Sequence, residues 1–461
     1  MITDNITDTT LQGTTVVIDE DEPQPAKPAP TENVGLFIRP PIQTDQPPWF
    51  QERQFRAWET FESLPLPHRK DQAWRFTTLG KLDLSKYTPA KSLATAQADA
   101  LVARSEGNPM VAATMIFAND KLVHRRLLNA ELEAKGVVFA PLEQDLSAYA
   151  DIMQRYFMVN DATLGSRKFA ALHQTHIRSG CFIYVPKNVK VDLPVEVFHW
   201  ISGDGAAIFP HTLLIAEEGS SITLVDYLES ADRRQPGFTC GVSDLHIGPG
   251  ANVTYLAAQN WGEEVASIKI NTASVERDGH LTSLHLNLGG RYSRLESLNK
   301  LTGAGARSDM LSATVATGTQ EFDQRTLQDH LAPHTFSDLL YKNSLSDKSK
   351  TIFSGLIRVA PAAQFTDAYQ KVRNLMLSDD AEADSMPGLE ILADEVRCTH
   401  GATSGHVDDA ELFYLESRGI PRLKAQQLIT QGFLTEILER LGNEHVTHKL
   451  ATLLADKFAR M

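Results

Sequence analysis

The chain has 461 residues, of which 42% are hydrophobic, and its formal net charge at pH 7 is −14. This length and apolar content allow a large buried core and exclude a chain that is disordered throughout. The acidic balance argues against nucleic-acid binding, because phosphate contacts need a Lys/Arg patch and none stands out. No apolar run of about 18 residues occurs, so no membrane-spanning helix is expected.

The cysteines indicate the compartment. Cys181, Cys240 and Cys398 are far apart and form no Cys-x-x-Cys pair, which predicts neither a disulfide framework nor a zinc module. A reducing, cytoplasmic location is therefore expected. Residues 1–33 contain seven acidic residues and one lysine, and they lack the basic character of a signal or transit peptide. Their Thr, Asp and Pro content predicts a disordered acidic tail.

Residues 34–178 predict an N-terminal domain of mixed helices and strands. Its first helix is expected between Pro47 and Pro65. One face of this helix is aromatic and is predicted to enter the core, and it consists of Phe50, Phe55, Trp58 and Phe61.

The rest of the N-terminal domain predicts short strands at 114–119 and 137–139 and a helix at 145–174. His173 and His176 stand three residues apart at the end of this helix and could pair on a metal. No third ligand is in view, so a hydrogen-bonded pair at the surface or at an interface is the preferred interpretation.

From residue 179 to residue 400, short β-branched runs alternate with Gly, Asp and Pro turns. Four phrases repeat a turn glycine and an alternating strand, and their glycines, 31, 29 and 26 residues apart, are Gly219, Gly250, Gly279 and Gly305. This spacing is typical of the coils of a β-solenoid, with an ordinary double sheet as the alternative. Apolar faces such as Ile222 and Leu224 are expected to stack into a continuous apolar column.

The segment from Val396 to His400 predicts a strand with a candidate metal site. The two-residue period of a strand places Cys398 and His400 on one face, and Gly401 and Gly405 predict a turn directly afterwards. A thiolate and an imidazole suit iron or zinc, but a closed tetrahedral site needs four ligands, so this pair is half a site. The alternative is a buried cysteine beside a hydrogen-bonded histidine.

Residues 401–461 predict a C-terminal helical domain. The first helix is capped by Asp408 or Asp409, ends at Gly419, and is expected to bury Leu412, Phe413 and Leu415. Two further helices carry apolar stripes at 423–441 and 446–458. So few residues cannot hide this apolar surface alone, so the helices are expected to dock on the solenoid, on a partner, or on both.

The run Cys-x-His-Gly-Ala-Thr-x-Gly at 398–405 resembles the C-terminal signature of the SufB/SufD family of the SUF iron–sulfur cluster assembly system, in its SufD form. The similarity continues upstream at 345–349, 353–357 and 381–390. A weaker match is the Trp-Arg-Phe-Thr run at 74–77, which follows a basic segment. Together the stronger matches span about the last third of the chain.

This resemblance implies a mainly β fold with a right-handed parallel β-helix at its centre, and a non-catalytic scaffold as the function. It implies a heterodimer with a SufB-like partner through the edge strands. His400 would be a ligand of a transient iron–sulfur cluster at that interface, with Cys398 as a second ligand or a neighbour. This chain alone would bind no cofactor stably, and reduced flavin is a further candidate in the complex.

The resemblance also implies that a SufC-like ATPase binds the C-terminal helices. That role carries over to Leu412, Phe413, Tyr414, Leu415 and Arg418. The sequence itself has no Gly-x-x-x-x-Gly-Lys-Ser/Thr loop, so ATP hydrolysis is expected in the partner. Without a SufB-like partner, a homodimer of the isolated chain is an alternative state.

The chain departs from the family pattern at a few positions. Ser404 and His406 replace the residues usual in the signature, and the role of His406 is left open. Val372 stands near the place where SufB-like chains carry their cluster cysteine, which favours the SufD type. The alternatives are a SufB-like principal scaffold and, more remotely, a glycan-active β-helix enzyme using acid pairs such as Asp379 with Asp380 or Asp323 with Asp329.

Overall fold

The structure is a computed structural model that describes residues 34–41 and 43–460, so the predicted tail at 1–33 lies outside the described residues. The chain is mainly β, as predicted. The α-helices of the described residues are α1 (Pro48–Ser63), α2 (Thr95–Arg104), α3 (Ala130–Ala134), α4 (Leu142–Asp145), α5 (Ala150–Tyr156), α6 (Arg167–His176), α7 (Asp409–Ser417), α8 (Arg422–Glu439) and α9 (Glu444–Ala459).

The strands of the described residues are β1 (Thr88–Pro89), β2 (Ala113–Ala118), β3 (Lys121–Arg126), β4 (Val138–Pro141), β5 (Cys181–Val185), β6 (Val195–Ile201), β7 (Ala206–Ile208), β8 (His211–Ala216), β9 (Ser221–Ser230), β10 (Gly237–Ile247), β11 (Asn252–Asn260), β12 (Val265–Val275), β13 (His280–Asn287), β14 (Tyr292–Leu301), β15 (Arg307–Ala316), β16 (Glu321–His330), β17 (Phe336–Leu345), β18 (Lys350–Val359), β19 (Asp367–Met376), β20 (Glu382–Ile391) and β21 (Arg397–His406).

The strands form a parallel β-solenoid of about eight turns, which confirms the predicted fold. Each turn gives one strand to each of two sheets. The first sheet has the order β20-β18-β16-β14-β12-β10-β8-β5-β4, and the second has the order β21-β19-β17-β15-β13-β11-β9-β6-β2-β3. At the N-terminal end, β3 and β4 pair antiparallel with β2 and β5, so the N-terminal domain extends both sheets.

The turns from the first sheet to the second share one left-handed backbone position. Gly219, Gly250 and Gly305 occupy it with φ of 67°, 62° and 74°, where a side chain is unfavourable. In the intervening turn the position belongs to Asp278, with φ of 57°, so the predicted repeat glycine Gly279 is one residue out of phase. Each of these residues donates its N–H to a carbonyl of the next turn, which locks the coils in register.

The interior of the solenoid is apolar along one side only. Inward-facing residues such as Ile222, Val253, Leu245 and Ala273 stack from coil to coil, as predicted. The prediction of a continuous apolar column is wrong for the other side, where polar side chains face inward. Every second residue of a strand points inward whatever its polarity, and burial of these polar groups is tolerated because they bond one another.

The polar side of the interior forms a ladder of amides and hydroxyls. Asn287 donates to Thr314 at 3.2 Å, Gln324 donates to Thr314 and to Asn343, and Asn343 donates to Asn374 at 2.8 Å. Asn374 then donates to Ser404 Oγ on the last strand at 3.0 Å. Polar bonding therefore runs along the interior as far as the final coil.

The N-terminal domain covers the outer face of the first sheet. Helix α1 matches its prediction, and Phe50, Trp58 and Phe61 are buried, whereas Phe55 is 43% exposed. The helix predicted at 145–174 is wrong as a single element. It is divided into α4, α5 and α6 because the segment between α5 and α6 contains turn residues, including Gly165 with φ of 124°.

A buried ion-pair network joins this domain to the solenoid. Arg294 contacts Glu296 at 2.7 Å and Asp323 at 2.5 Å, and its guanidinium lies 3.8 Å from the ring centroid of Trp74. Asp323 also accepts hydrogen bonds from Arg325 and from Thr77. The Trp-Arg-Phe-Thr run at 74–77 thus contributes to docking the domain on β14 and β16.

The C-terminal helices cover the outer face of the second sheet, as one of the predicted alternatives required. The apolar stripes of α8 and α9 pack against outward-facing residues such as Leu256, Leu284, Leu311 and Leu340. Lys342 on β17 donates to the carbonyl of Phe433 at 2.6 Å and pairs with Glu436 on α8. Among the described residues, no helix is both long and apolar enough to cross a membrane.

Candidate functional site at the open end of the solenoid

In the part of the chain that the structure describes, no coil is stacked above the last coil of the solenoid, which is formed by β20 and β21. Within residues 34–41 and 43–460, β20 pairs only with β18 and β21 only with β19. Each strand is ten residues long. Strand edges of this length are usually covered or carry charges that prevent pairing, but β21 contains a single charged residue, Arg397, and no proline.

Strand β21 is longer than predicted. The turn expected at Gly401 and Gly405 is wrong, because the strand continues from Arg397 to His406 in register with β19. Both glycines lack a positive φ, and the neighbouring strand provides hydrogen-bond partners along the whole segment. The solenoid therefore extends six residues beyond the expected boundary at residue 400.

Cys398 and His400 lie on one face of β21, as the strand period predicts. They stand opposite Ala368 and Gln370, which are buried residues of the inward-facing row of β19. Cys398 is half-buried and His400 is exposed, because the row faces the interior but no further coil covers it. The two side chains are therefore presented at the mouth of the solenoid.

The pair by itself could not complete the coordination of a metal ion. Burial, together with the charge of Asp367, raises the pKa of the Cys398 thiol above its ordinary value, which favours the protonated form. Among the described residues, no group of three or more His, Cys, Asp or Glu side chains could hold a metal ion. A complete coordination shell at this position would need ligands from another molecule.

The rest of the open end combines apolar and polar groups. Leu389 and Ile391, which face inward on β20, are 37% and 39% exposed, and Leu392 is 57% exposed. His406 shares the inward row with His400, and its Nδ1 lies 3.9 Å from Asp379. The uncovered apolar side chains resemble the inside of a coil that lacks its neighbour, so a surface of matching shape would bury them.

Comparisons with known proteins identify the family. A family model described as "SUF system FeS cluster assembly, SufBD core domain" matches residues 199–433, and one described as "SufBD protein N-terminal region" matches residues 39–197. The chain belongs to the SufBD family. Among its SufBD relatives, the "Iron-sulfur cluster assembly protein SufD" of Bacillus subtilis is 31% identical over 89% of this chain and 94% of that protein.

Further relatives are more distant but equally complete. "Iron-sulfur cluster assembly SufBD family" proteins of Staphylococcus epidermidis and Staphylococcus aureus are each 25% identical over 90% of this chain and 90% of the relative. The family works in the SUF system of iron–sulfur cluster assembly, as the sequence motifs predicted. In this SufBD chain the signature at 398–405 forms most of β21.

The surface of α7 differs from its prediction. Leu412 is buried, as predicted, with 2% of its surface exposed, so it packs in the core, and no exposed surface supports its alternative assignment to partner binding. Phe413, expected in the core, is 71% exposed, and Tyr414 is 57% exposed. Arg418 lies 5.3 Å above the Tyr414 ring, and Leu415 is half-buried. Leu412 and Phe413 differ in exposure because adjacent residues of a helix point to different faces.

The two histidines at the end of α6 do not lie at the surface, where one of the predicted alternatives placed them. His173 and His176 are both buried between α6 and the first sheet. His173 Nε2 is 3.0 Å from His211 Nδ1, and its Nδ1 is 2.7 Å from the carbonyl of Cys240. Burial lowers the pKa of His173 to about 3 and that of His176 to about 4, so both are neutral near pH 7.

One acid pair of the glycan-enzyme alternative, Asp323 with Asp329, has structural partners in this SufBD chain. Asp323 is enclosed by Arg294 and Arg325, and Asp329 pairs with Arg358 at 2.6 Å. Neither carboxylate lies free in a cleft. Sequence reasoning missed the buried cluster around Arg294, because charged residues on a strand give no signal until their outward face is known to be covered.

Proposed function

We propose that this chain is a SufD-type scaffold subunit of a cytoplasmic SUF complex, paired with a SufB-like partner across the open end of its solenoid. The observation that carries the proposal is the last coil, which the described residues leave uncovered, with two unpaired edges and exposed inward-facing residues. A second solenoid end can add a strand to the edge of β21 and cover Leu389 and Ile391, whereas Pro387 limits pairing along the edge of β20. Backbone pairing would supply affinity and the side-chain rows would supply specificity.

The nascent iron–sulfur cluster is the cargo of this interface. His400 offers an imidazole that is already exposed, and Cys398, two residues before it on the same face of β21, offers a thiol. Metal binding favours the thiolate, so iron would offset the raised pKa of Cys398. Since this pair leaves coordination incomplete, the partner would complete it, and neither chain would hold iron alone.

Helix α7 is the proposed contact for a SufC-like ATPase. Phe413 and Tyr414 are exposed aromatic side chains with Arg418 beside them, a combination common at the centres of protein interfaces. Leu415 lies at the edge of this patch. The helices that follow α7 are anchored to β17 through Lys342, so a movement of the ATPase would reach the solenoid and its open end.

The test is cluster assembly in the complex that this chain forms with a SufB-like and a SufC-like protein. His400→Ala is expected to abolish most cluster formation, measured by visible absorbance under anaerobic conditions, and to leave the subunits assembled by size-exclusion chromatography. The matched control is His124→Ala, an exposed histidine on β3 at the opposite edge of the same sheet. Full cluster yield from His400→Ala would refute the role of His400.

The same reconstitution distinguishes the SufB-like alternative. A principal scaffold takes up iron and sulfide by itself, whereas this chain is expected to stay colourless when reconstituted alone. A stable absorbance spectrum from the isolated chain, lost in His400→Ala, would favour the principal-scaffold role instead.

A further inference from the structure

A basic pocket lies on the flank of the solenoid, away from the open end. It is formed by the turns that lead from the second sheet to the first and by the last turn of α9, and its volume is about 340 Å³. This size is in the range of small-molecule sites. The basic residues that line it are Arg233, Arg291, Lys457 and Arg460.

Two of these cations converge on one acceptor. Arg233 Nη1 and Arg460 Nη2 both donate to Asn260 Oδ1, each at 3.3 Å. The amide nitrogen of Asn260 in turn donates to the half-buried Glu229 at 3.0 Å. The guanidinium groups of a solenoid turn and of the C-terminal helix are thus held side by side, an arrangement that is unfavourable without a counter-charge.

The acidic residues nearby only partly balance this charge. Glu263 approaches Arg233 at 3.9 Å and Glu264 approaches Arg291 at 3.8 Å, distances that are long for hydrogen-bonded ion pairs. Their side chains are 65% and 49% exposed and lie at the rim of the pocket. Burial raises the pKa of Glu229 to about 7, so near neutral pH this residue carries only part of a negative charge to balance the arginines.

Several donors in the pocket lack an acceptor. The Nε atoms of Arg233 and Arg291 are buried without a hydrogen-bond partner in the part of the chain that the structure describes. Lys457 is 5% exposed, and its Nζ contacts the neutral oxygens of Thr317 and Gln320, at 3.1 and 3.0 Å. Burial, with Arg233 and Arg460 nearby, lowers the pKa of Lys457 to about 7.

We propose that this pocket binds a phosphate-type anion, most simply the diphosphate group of a small molecule, between Arg233, Lys457 and Arg460. Planar guanidinium groups bind phosphate oxygens in pairs, and a lysine adds a point charge. Because Lys457 and Arg460 belong to the end of α9 and Arg233 to the solenoid, the anion joins the C-terminal helices to the solenoid. This site is separate from His400 and does not depend on the proposed scaffold function.

The test titrates the isolated full-length chain with pyrophosphate in a calorimeter. Wild-type protein is expected to bind one equivalent, and Arg460→Gln and Arg233→Gln are each expected to weaken binding about tenfold or more. The control is Arg277→Gln, whose arginine is 67% exposed in a turn at the other side of the solenoid, and it is expected to bind like wild type. Equal affinity of Arg460→Gln and Arg277→Gln, or no binding by wild type, would overturn the proposal.

A second readout reports Lys457 directly. An anion beside Lys457 favours its charged form, so binding at pH 7.5 should add a fraction of a proton at Lys457, beyond any proton that pyrophosphate itself gains or loses, measured by repeating the titration in buffers of different ionisation enthalpy. Lys457→Met should remove this uptake. If Arg460→Gln loses its fold by circular dichroism, the difference between the wild-type protein and Lys457→Met decides: greater uptake by the wild-type protein supports the site, and equal uptake overturns it.

Parallel titrations with ATP and inorganic phosphate identify the source of the anion. Tighter binding of ATP than of pyrophosphate assigns the site to a nucleotide. Equal binding of the two assigns it to the diphosphate group alone, and binding of all three with the same affinity assigns it to a single phosphate.

Discussion

The middle turns of the solenoid and its last coil have the same backbone and opposite surroundings. In the middle turns both edges of each strand are paired, and both outer faces are covered, one by the N-terminal domain and the other by the C-terminal helices. In the last coil β20 and β21 keep one free edge each, and inward-facing residues such as His400 and Ile391 are exposed.

This difference separates residues that stabilise the fold from residues that are available to a partner. A side chain in a middle turn is enclosed whether it is polar or apolar, so its loss affects the free energy of unfolding. A side chain at the same position in the last coil has no neighbour above it, so its loss should affect binding. Changes at equivalent ladder positions therefore test the comparison directly.

The largest contrast is expected for proline at two inward-facing alanines, Ala257 and Ala402, which occupy equivalent positions in different strands of the second sheet. Arg397 donates its N–H to Thr366, and every second residue after it also directs its N–H toward β19. The residues between them, including Ala402, therefore direct their N–H to the free edge. Ala402→Pro should leave unfolding almost unchanged but weaken binding of the SufB-like partner about tenfold to a hundredfold, measured by surface plasmon resonance. Ala257→Pro, within the paired part, should cost about 3 kcal/mol or more.

Ala402→Val keeps the N–H and the strand propensity, so it serves as the control for the proline variant. If Ala402→Pro bound the partner as tightly as Ala402→Val does, the free edge of β21 would not be part of the interface.

The second contrast concerns two aspartates of one outward row. Asp323 is enclosed by Arg294 and Arg325, and Asp323→Ala leaves both guanidinium groups without their carboxylate, which should cost about 3–5 kcal/mol in urea unfolding. Asp384 stands two strands away in the same row and pairs with Lys350 at 3.1 Å near the last edge. Asp384→Ala should cost at most about 1 kcal/mol, and equal costs would contradict the comparison.

The third prediction concerns pH and the covered face of the first sheet. An unfolded histidine titrates near pH 6.5. Burial lowers the pKa of His176 to about 4, so between these values the unfolded chain binds a proton that the folded chain does not. The contribution of this residue to the free energy of unfolding is therefore complete above about pH 6.5. It decreases as the pH is lowered, and about 3 kcal/mol is lost at pH 4.

His176→Gln should reduce the pH dependence of unfolding between pH 6.5 and pH 4 by this amount, measured with urea at several pH values. The half-buried Asp120 and the buried Asp244, whose pKa values desolvation raises to about 7 and about 6, act in the opposite sense in both proteins. They therefore cancel in the difference. An unchanged pH profile in His176→Gln would show that folding does not lower the pKa of this histidine.

The smallest effect on stability is expected at α7. Phe413→Ala removes an exposed ring and should change the free energy of unfolding by less than about 0.5 kcal/mol, whereas Leu412→Ala opens a buried site and should cost about 2 kcal/mol or more. Binding of the SufC-like ATPase, measured by calorimetry, should fall in Phe413→Ala. Undiminished binding would remove α7 from the proposed contact.

Much of the fold follows from local sequence patterns. Turn spacing predicted the solenoid, Pro48 marked the start of α1, and Asp408 caps α7 by accepting from Ala410 N at 2.8 Å. The failures occurred where a neighbouring strand overrides local preference. Gly401 and Gly405 favour a turn in isolation, but hydrogen bonding to β19 holds them in a strand.

The candidate site was predictable in part for the same reason. The two-residue period alone puts Cys398 and His400 on one face, and the family signature at 398–405 predicts that this face is a metal site. The sequence could not tell whether the face was sealed, because exposure depends on the absence of a further coil. It also could not reveal the pocket of Arg233 and Arg460, since these residues are more than 200 positions apart and meet only through Asn260.

Amide hydrogen exchange of this chain, with and without the SufB-like partner, tests the central claim most directly. The claim is that the last coil is completed by another chain, so the edge amides of β21, including those of Cys398, His400 and Ala402, should become protected in the complex. Edge strand β3 at the opposite end of the sheet should exchange as before. Unchanged exchange in β20 and β21 within a verified complex would contradict the account.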